Sequence, residues 1–340
     1  MGKLVTTNTA FTSFLSDRVG YKSGLALSRD EMVDLLDKSD PLLNIIKNDN
    51  EKLVRIPTDQ IEDSFQIILC RLGVIEQPFV GHGPTLLKFE FLNNPEQQFL
   101  LQQVLQHLGE NHFDRGHKSI FDNFDEQQFF IKIKEKYGVM ACSISQRLVK
   151  LIKDSEEASP WDWLSARVME WKSPIELKEL FESESLNAMY GRFLDQRYIN
   201  YLAENPDKLS SMNWRKFEAL TAEYFERSGY RVEIGEGRND GGVDIRVWGQ
   251  VDNKSLAPVT LVQCKRTKSK IDKVLVKSLW ADVVDENASS GVIVTTSYFS
   301  PGASQVCKAR KYPIREANRD TVMSWLKELK KTGRGVFMGE

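Results

Sequence analysis

Residues 230–266 read YRVEIGEGRNDGGVDIRVWGQVDNKSLAPVTLVQCKR. Three short runs inside this stretch, YRVEIG, GVDIRVWG and VTLVQCKR, are rich in β-branched and aromatic residues. Gly, Asn, Asp and Pro separate them, which is the pattern of strands joined by turns. Helical spacing lies on both sides. Asn213 to Ser228 repeats its apolar residues near every 3.6 positions, with Asn213 placed to cap the helix. IDKVLVKSLWADVVDE follows as a helix, GVIVTTS as a strand, and PGASQVCKARK and RDTVMSWLKELKK as two more helices. The order α-β-β-β-α-β-α-α predicts an α/β domain, a mixed central sheet flanked by helices.

The sequence before Asn213 has a different character. SRDEMVDLLDKS, DSFQIILCRLGV, PEQQFLLQQVLQHLGE, DEQQFFIKIKEKYG and SISQRLVKLIKD all carry helical spacing, and PTLLKFEFLN alternates as a strand does. WLSARVMEW and LNAMYGRFLDQRYINYLA read as further helices. The N-terminal region is therefore expected to be mostly helical α+β. Polar, Pro-containing stretches at Lys153–Trp163 and Glu204–Asn213 suggest three parts. These are a helical domain over 1–155 for sensing or specificity, a helical connector over 156–210, and the α/β domain over 211–332.

Composition removes several classes of function. The chain has 340 residues, 41% hydrophobic and 28% charged, as expected of a globular protein. No apolar run approaches the ~20 residues of a membrane span, and MGKLVTTNTAFTSFL lacks the apolar core of a signal peptide, so a cytoplasmic location is expected. Cys70, Cys142, Cys264 and Cys307 show no zinc-ligand spacing. They lie in apolar stretches and read as buried reduced thiols. His107, His112 and His117 match no strong metal motif and read as loop or surface residues. QRLVKLIKD hints at a helix-turn-helix, although core amphipathicity explains it equally well.

The net charge of −2 is unevenly spread. From Ser211 to Glu340 there are 22 Lys and Arg against 16 Asp and Glu, a balance of +6, so the remainder carries −8. A basic module joined to an acidic one points to a polyanionic partner, with a solvated basic face as the plain alternative.

Two stretches concentrate polar groups inside apolar strands: NDGGVDIRVWG (239–249) and LVQCKRTKSK (261–270). Asp244 begins a strand after a Gly-Gly turn. Gln263 and Lys265, two apart, share one face with Leu261, while Val262 and Cys264 take the other. A lysine inside an apolar strand requires a partner or a function if it is buried. On the helix before the first strand, Glu218 falls at about 100° from Phe217, at the edge of the apolar stripe, while Glu226 and Glu223 fall near 180° and 240°, on the solvent side. Phosphodiester cleavage needs acidic oxygens for a hard cation, a polarised water, and a group that orients it. Glu218, Asp244, Gln263 and Lys265 contain such groups. Arg266, Lys268, Lys270 and Lys273 follow directly as candidate phosphate contacts. Thr295, Thr296 and Ser297 end a strand where they could bond a phosphate or cap the next helix. The alternatives are that Asp244 and Asp240 serve as turn residues, Glu218 as a surface ion-pair residue, and the basic run as a solvated loop.

These pieces resemble the catalytic domain of Mrr-type restriction endonucleases, a branch of the PD-(D/E)XK nuclease fold. The resemblance is carried by WRKFEALTAEYFERSGYRV, NDGGVDI, VQCKR and GVIVTTSYFSPGA, in that order, over about a third of the chain. It implies that Asp244 binds metal, that Gln263 occupies the second acid position, that Lys265 is the catalytic lysine, and that Glu218 is the helix carboxylate. Val243 stands where the general motif has Pro, and Gln263 where it has Asp or Glu. The implied activity is Mg2+-dependent endonucleolytic cleavage of DNA, with Mn2+ able to substitute, in restriction or anti-phage defence. A homodimer is expected for double-strand cutting, along with a partner protein or signal ligand at the N-terminal region and no membrane. The alternatives are a non-catalytic DNA-binding module, and a nuclease effector silent until its N-terminal region receives a signal.

Overall fold

The computed structural model describes residues 2–48, 50–78, 83–112, 124–161, 174–237, 242–249 and 257–330. The chain divides into two compact units, one running from the N-terminus to Pro174 and the other beginning at Ile175. Among the described residues no helix is long and apolar enough to cross a membrane.

In the N-terminal unit, Lys3–Thr7 pairs antiparallel with Leu53–Pro57, and the rest is mainly helical. The sequence pattern missed both strands. Helices at Arg29–Asp34, Thr58–Arg71 and Pro95–His112 fall where the spacing predicts them. Ser28 and Glu31 close a capping box at the first. The expected strand PTLLKFEFLN is instead a helix, Gly83–Glu90. Its alternation was outweighed by tertiary packing: Leu87 and Phe91, one helical turn apart, are buried with Leu101, Ile144 and Leu148, while Phe89 and Leu92 are exposed. DEQQFFIKIKEKYG and SISQRLVKLIKD form two helices within Glu126–Glu157 that meet at Gly138, whose φ of 88° and ψ of 179° break the helical ladder. QRLVKLIKD continues one of them and buries Leu148 and Val149, so it is a core helix rather than a helix-turn-helix. His107 is on the Pro95–His112 helix, not in a loop, and its ring lies against Phe129 and Tyr137. His117 and the WLSARVMEW stretch lie outside the described residues, as does the side chain of His112.

The second unit carries a five-stranded sheet between two helical layers. Its principal elements are α1 (Gln196–Glu204), α2 (Trp214–Arg227), β1 (Arg231–Ile234), β2 (Ile245–Trp248), β3 (Thr260–Lys265), α3 (Lys273–Asp285), β4 (Ser290–Thr295), α4 (Pro301–Arg310), β5 (Ile314–Ala317) and α5 (Arg319–Leu329). The strand order is β1-β2-β3-β4-β5. β1-β2 and β2-β3 are antiparallel, and β3-β4 and β4-β5 are parallel. The mixed α/β architecture agrees with the sequence pattern, with one strand added. β5 escaped notice because only Ile314 and Ala317, its two ends, are buried, which leaves no run of alternation to read.

Helices α3 and α4 cover one face, where Leu261, Ile293 and Ile314 meet Val276, Leu279, Ala303 and Cys307. The other layer holds α2, with α1 and α5 tied to it. Tyr224 stacks on Trp325 at 4.1 Å. Gln196 Nε2 donates to the Leu329 carbonyl at 3.0 Å and Arg227 Nη1 to Gln196 Oε1 at 2.8 Å. Asn213 caps α2 through the Arg215 N–H, as its sequence position suggested. Of LNAMYGRFLDQRYINYLA only Gln196–Glu204 is helical. Gly191, at φ +140°, takes a backbone conformation that side-chain-bearing residues rarely adopt.

Candidate active site

Asp244 stands immediately before β2. Its N–H donates to the Val262 carbonyl at 3.0 Å, although Ile245 is the ladder partner of Val262. Two successive residues thus face one, the arrangement of a β-bulge, which bends a strand and re-aims a side chain. The re-aimed carboxylate accepts a 2.6 Å hydrogen bond from the Cys264 backbone N–H, between Gln263 and Lys265. Gly242, at φ +94°, completes the approach. A Cβ there would lie 3.6 Å from Gln263 Nε2, so the turn backbone runs beside the Gln263 amide.

Gln263 is half-buried, and its Oε1 is a buried acceptor without a hydrogen-bond partner. A buried amide oxygen left unpaired costs free energy, about 1–3 kcal/mol. The Gln263 oxygen is a donor of the kind that a hard cation takes.

Glu218 is buried, 4% exposed, as the helical wheel predicts. Its Oε2 accepts from Arg215 Nη1 at 2.7 Å. It shares a neighbour with Asp244: both carboxylates, together with burial as the largest cause, push the Cys264 thiol well above the usual range, while a hydrogen bond with Thr221 opposes them. Glu218 and Asp244 therefore both lie near Cys264 at the end of β3, the strand that also carries Gln263 and Lys265. Glu223 departs from the expected solvent-side position. It is 1% exposed because the segment before α1 covers that side of α2. Its carboxylate accepts from the N–H groups of Arg192, Phe193 and Leu194 and pairs with Arg227. Glu226 pairs with Arg192 at the rim.

Lys265 ends β3 and is exposed. The sequence argument from the cost of a buried lysine does not apply to it, and its place directly after Cys264 on β3 is what distinguishes it. Lys268, Lys270 and Lys273 are exposed, and Arg266 donates to the Ser210 carbonyl at 3.2 Å. Thr295, Thr296 and Ser297 are buried and neither face solvent nor cap α4, whose cap is Ser300. They fasten the basic loop instead. Thr295 Oγ1 donates to the Lys265 carbonyl, Ser297 Oγ to the Lys268 carbonyl, and Thr296 Oγ1 exchanges bonds with both the N–H and the carbonyl of Thr267. Asp240 and Gly241 lie outside the described residues.

None of the four cysteines is in a disulfide; Cys307 is buried and Cys70, Cys142 and Cys264 are half-buried, so the expected burial holds fully only for Cys307. Among the described residues no three His, Cys, Asp or Glu side chains gather into a metal-ligand group. The oxygen donors near Cys264 are two carboxylates and one amide, a set suited to a hard cation rather than a soft one.

Residues 209–326 match the Mrr_cat family, described as restriction endonuclease. The match spans all four motifs and the whole sheet, so the C-terminal unit is similar to a restriction endonuclease domain. An uncharacterized protein, y4cE, from Sinorhizobium fredii (strain NBRC 101917 / NGR234) is 24% identical over 147 residues, covering 43% of this chain and 38% of that protein. The MspJI restriction endonuclease, solved in complex with a 27-mer oligonucleotide, shares 25% identity with a TM-score of 0.29, covering 40% of this chain and 32% of that one. The chain thus spans less than two fifths of the length of either protein.

Proposed function

We propose that the second unit is a Mg2+-dependent DNA endonuclease whose centre is Glu218, Asp244, Gln263 and Lys265. The observation that carries this reading is the buried, unpartnered Gln263 Oε1 on the residue preceding Cys264, whose N–H holds the Asp244 carboxylate, within a segment that matches a restriction endonuclease family. Asp244, Gln263 and Glu218 would hold the cation, and Mn2+ is expected to substitute. Bound Mg2+ supplies Lewis acidity at the scissile phosphate. The ammonium of Lys265 would orient the attacking water and favour its hydroxide form; as that oxygen bonds phosphorus, the P–O bond opposite it breaks, the water's proton passes to solvent and the leaving oxygen takes a proton from solvent. Arg266, Lys268, Lys270 and Lys273 hold the flanking phosphates, on a loop fixed by the Thr295–Ser297 hydroxyls. A loop already ordered loses less entropy on binding DNA than a floppy one.

Residues 1–155 are assigned to sensing or specificity and 156–210 to connection, with 211–332 as the nuclease domain, in a cytoplasmic restriction or anti-phage role. Two active sites for a double-strand cut favour a homodimer. Full-length protein is expected to nick or linearise plasmid DNA with Mg2+, to stop with EDTA, and to lose at least 100-fold in rate on Lys265→Ala. Undiminished cutting by that variant would reassign the site.

A further inference from the structure

Arg215 is absent from the ligand set yet connects its parts. It lies in the first turn of α2, where a basic residue is electrostatically unfavourable against the helix dipole. Helix stability therefore does not account for it. Its guanidinium forks between two acceptors from different elements: Nη1 donates to Glu218 Oε2 at 2.7 Å and Nη2 to the Gly235 carbonyl at 2.6 Å. Gly235 in turn donates its N–H to the Asp244 carbonyl at 2.8 Å. One side chain thus links the helix carboxylate to the end of β1, whose Gly235 is bonded in turn to the Asp244 backbone.

The surroundings fix that guanidinium in place. It is 14% exposed and Glu218 5%, and it lies 5.9 Å from the Trp214 ring centroid. Gly237, at φ +96°, packs directly on it. A Cβ there would stand 3.0 Å from Arg215 Nη1 and 3.1 Å from Trp214, so the Gly237 backbone lies against the fork.

We infer that Arg215 is a positioning residue that holds Glu218 at a fixed separation from Asp244 and so sets the geometry in which both reach one cation. This rests on the metal-dependent reading of the site. A lysine keeps the charge but has no planar fork to hold two acceptors at once. A glutamine keeps a donor and loses the charge.

The test is calorimetric titration of Mn2+ into the full chain, without DNA. The proteins are the parent, Arg215→Lys, Arg215→Gln, Glu218→Gln and the Arg215→Lys/Glu218→Gln double variant, each confirmed folded by circular dichroism. The parent is expected to bind Mn2+, and both Arg215 variants to bind at least tenfold more weakly. In the Glu218→Gln background, Arg215→Lys should change affinity by less than twofold, because the residue it acts through is already lost. Parent-like binding by either folded Arg215 variant, or losses that multiply in the double variant, overturns the inference alone. A parent that takes up no Mn2+ overturns the metal-dependent reading and this inference with it.

Discussion

The carboxylate of Asp244 accepts the backbone N–H of Cys264 at 2.6 Å, which pins the first residue of the candidate ligand set to the strand carrying Gln263 and Lys265. A side chain held this way has little freedom before a cation arrives, and preorganisation of this kind is where metal-dependent catalysis draws much of its advantage. Removing the carboxylate should therefore affect chemistry far more than stability. Asp244→Ala is expected to lower plasmid cleavage at least 100-fold while leaving DNA affinity within about threefold. It also loses one charge-assisted hydrogen bond, worth about 1.5–3 kcal/mol, which denaturant unfolding would show.

Gln263 offers a test in the opposite direction. Its Oε1 is buried and unpartnered, and a neutral amide oxygen binds Mg2+ less strongly than a carboxylate. Gln263→Glu should lower the Mg2+ concentration for half-maximal cleavage by about tenfold, while Gln263→Leu should raise it. If the glutamate variant requires more Mg2+ than the parent, the side chain is not a ligand.

Glu223 was misplaced by the helical wheel, and the error predicts a stability effect. Its buried carboxylate satisfies three successive backbone N–H groups and Arg227. Glu223→Ala leaves those donors and a cation without their acceptor, at a cost of about 3 kcal/mol or more. Denaturant unfolding of the variant should show this loss, and a change below about 1 kcal/mol would contradict the account.

Glu157, in the N-terminal unit, gives a pH signature. Burial raises its carboxyl from 4.5 to about 7, with Lys22 opposing the shift. A carboxyl whose folded value lies above its unfolded value adds stability below about 4.5, and that contribution disappears as pH rises through about 7. Because Glu157 is partly exposed, the effect is discounted to about 1–2 kcal/mol. Glu157→Gln should raise the thermal midpoint at pH 8 relative to the parent and not at pH 4.5. An equal shift at both values would remove burial of charge as the cause.

The three strands around the site, the cap at Asn213 and the inward turn of Glu218 were all legible, because each follows from a local period or a local cap. What stayed hidden depends on chain far away in sequence. Glu223 is covered by residues 192–194, thirty positions earlier. Gly83–Glu90 became helical through the buried partners of Leu87 and Phe91. Thr295, Thr296 and Ser297 bond a loop thirty residues away, so their sequence neighbours gave no sign of it. Arg215 passed unnoticed for the same reason: one of its two acceptors is twenty residues downstream.

The most direct test of the central claim is a crystal structure of the full chain soaked in Mn2+, with the metal located by its anomalous scattering. The account predicts one strong peak within about 2.0–2.5 Å of Asp244, Gln263 Oε1 and Glu218. A peak bound elsewhere, with these three side chains unchanged and uncoordinated, would contradict it.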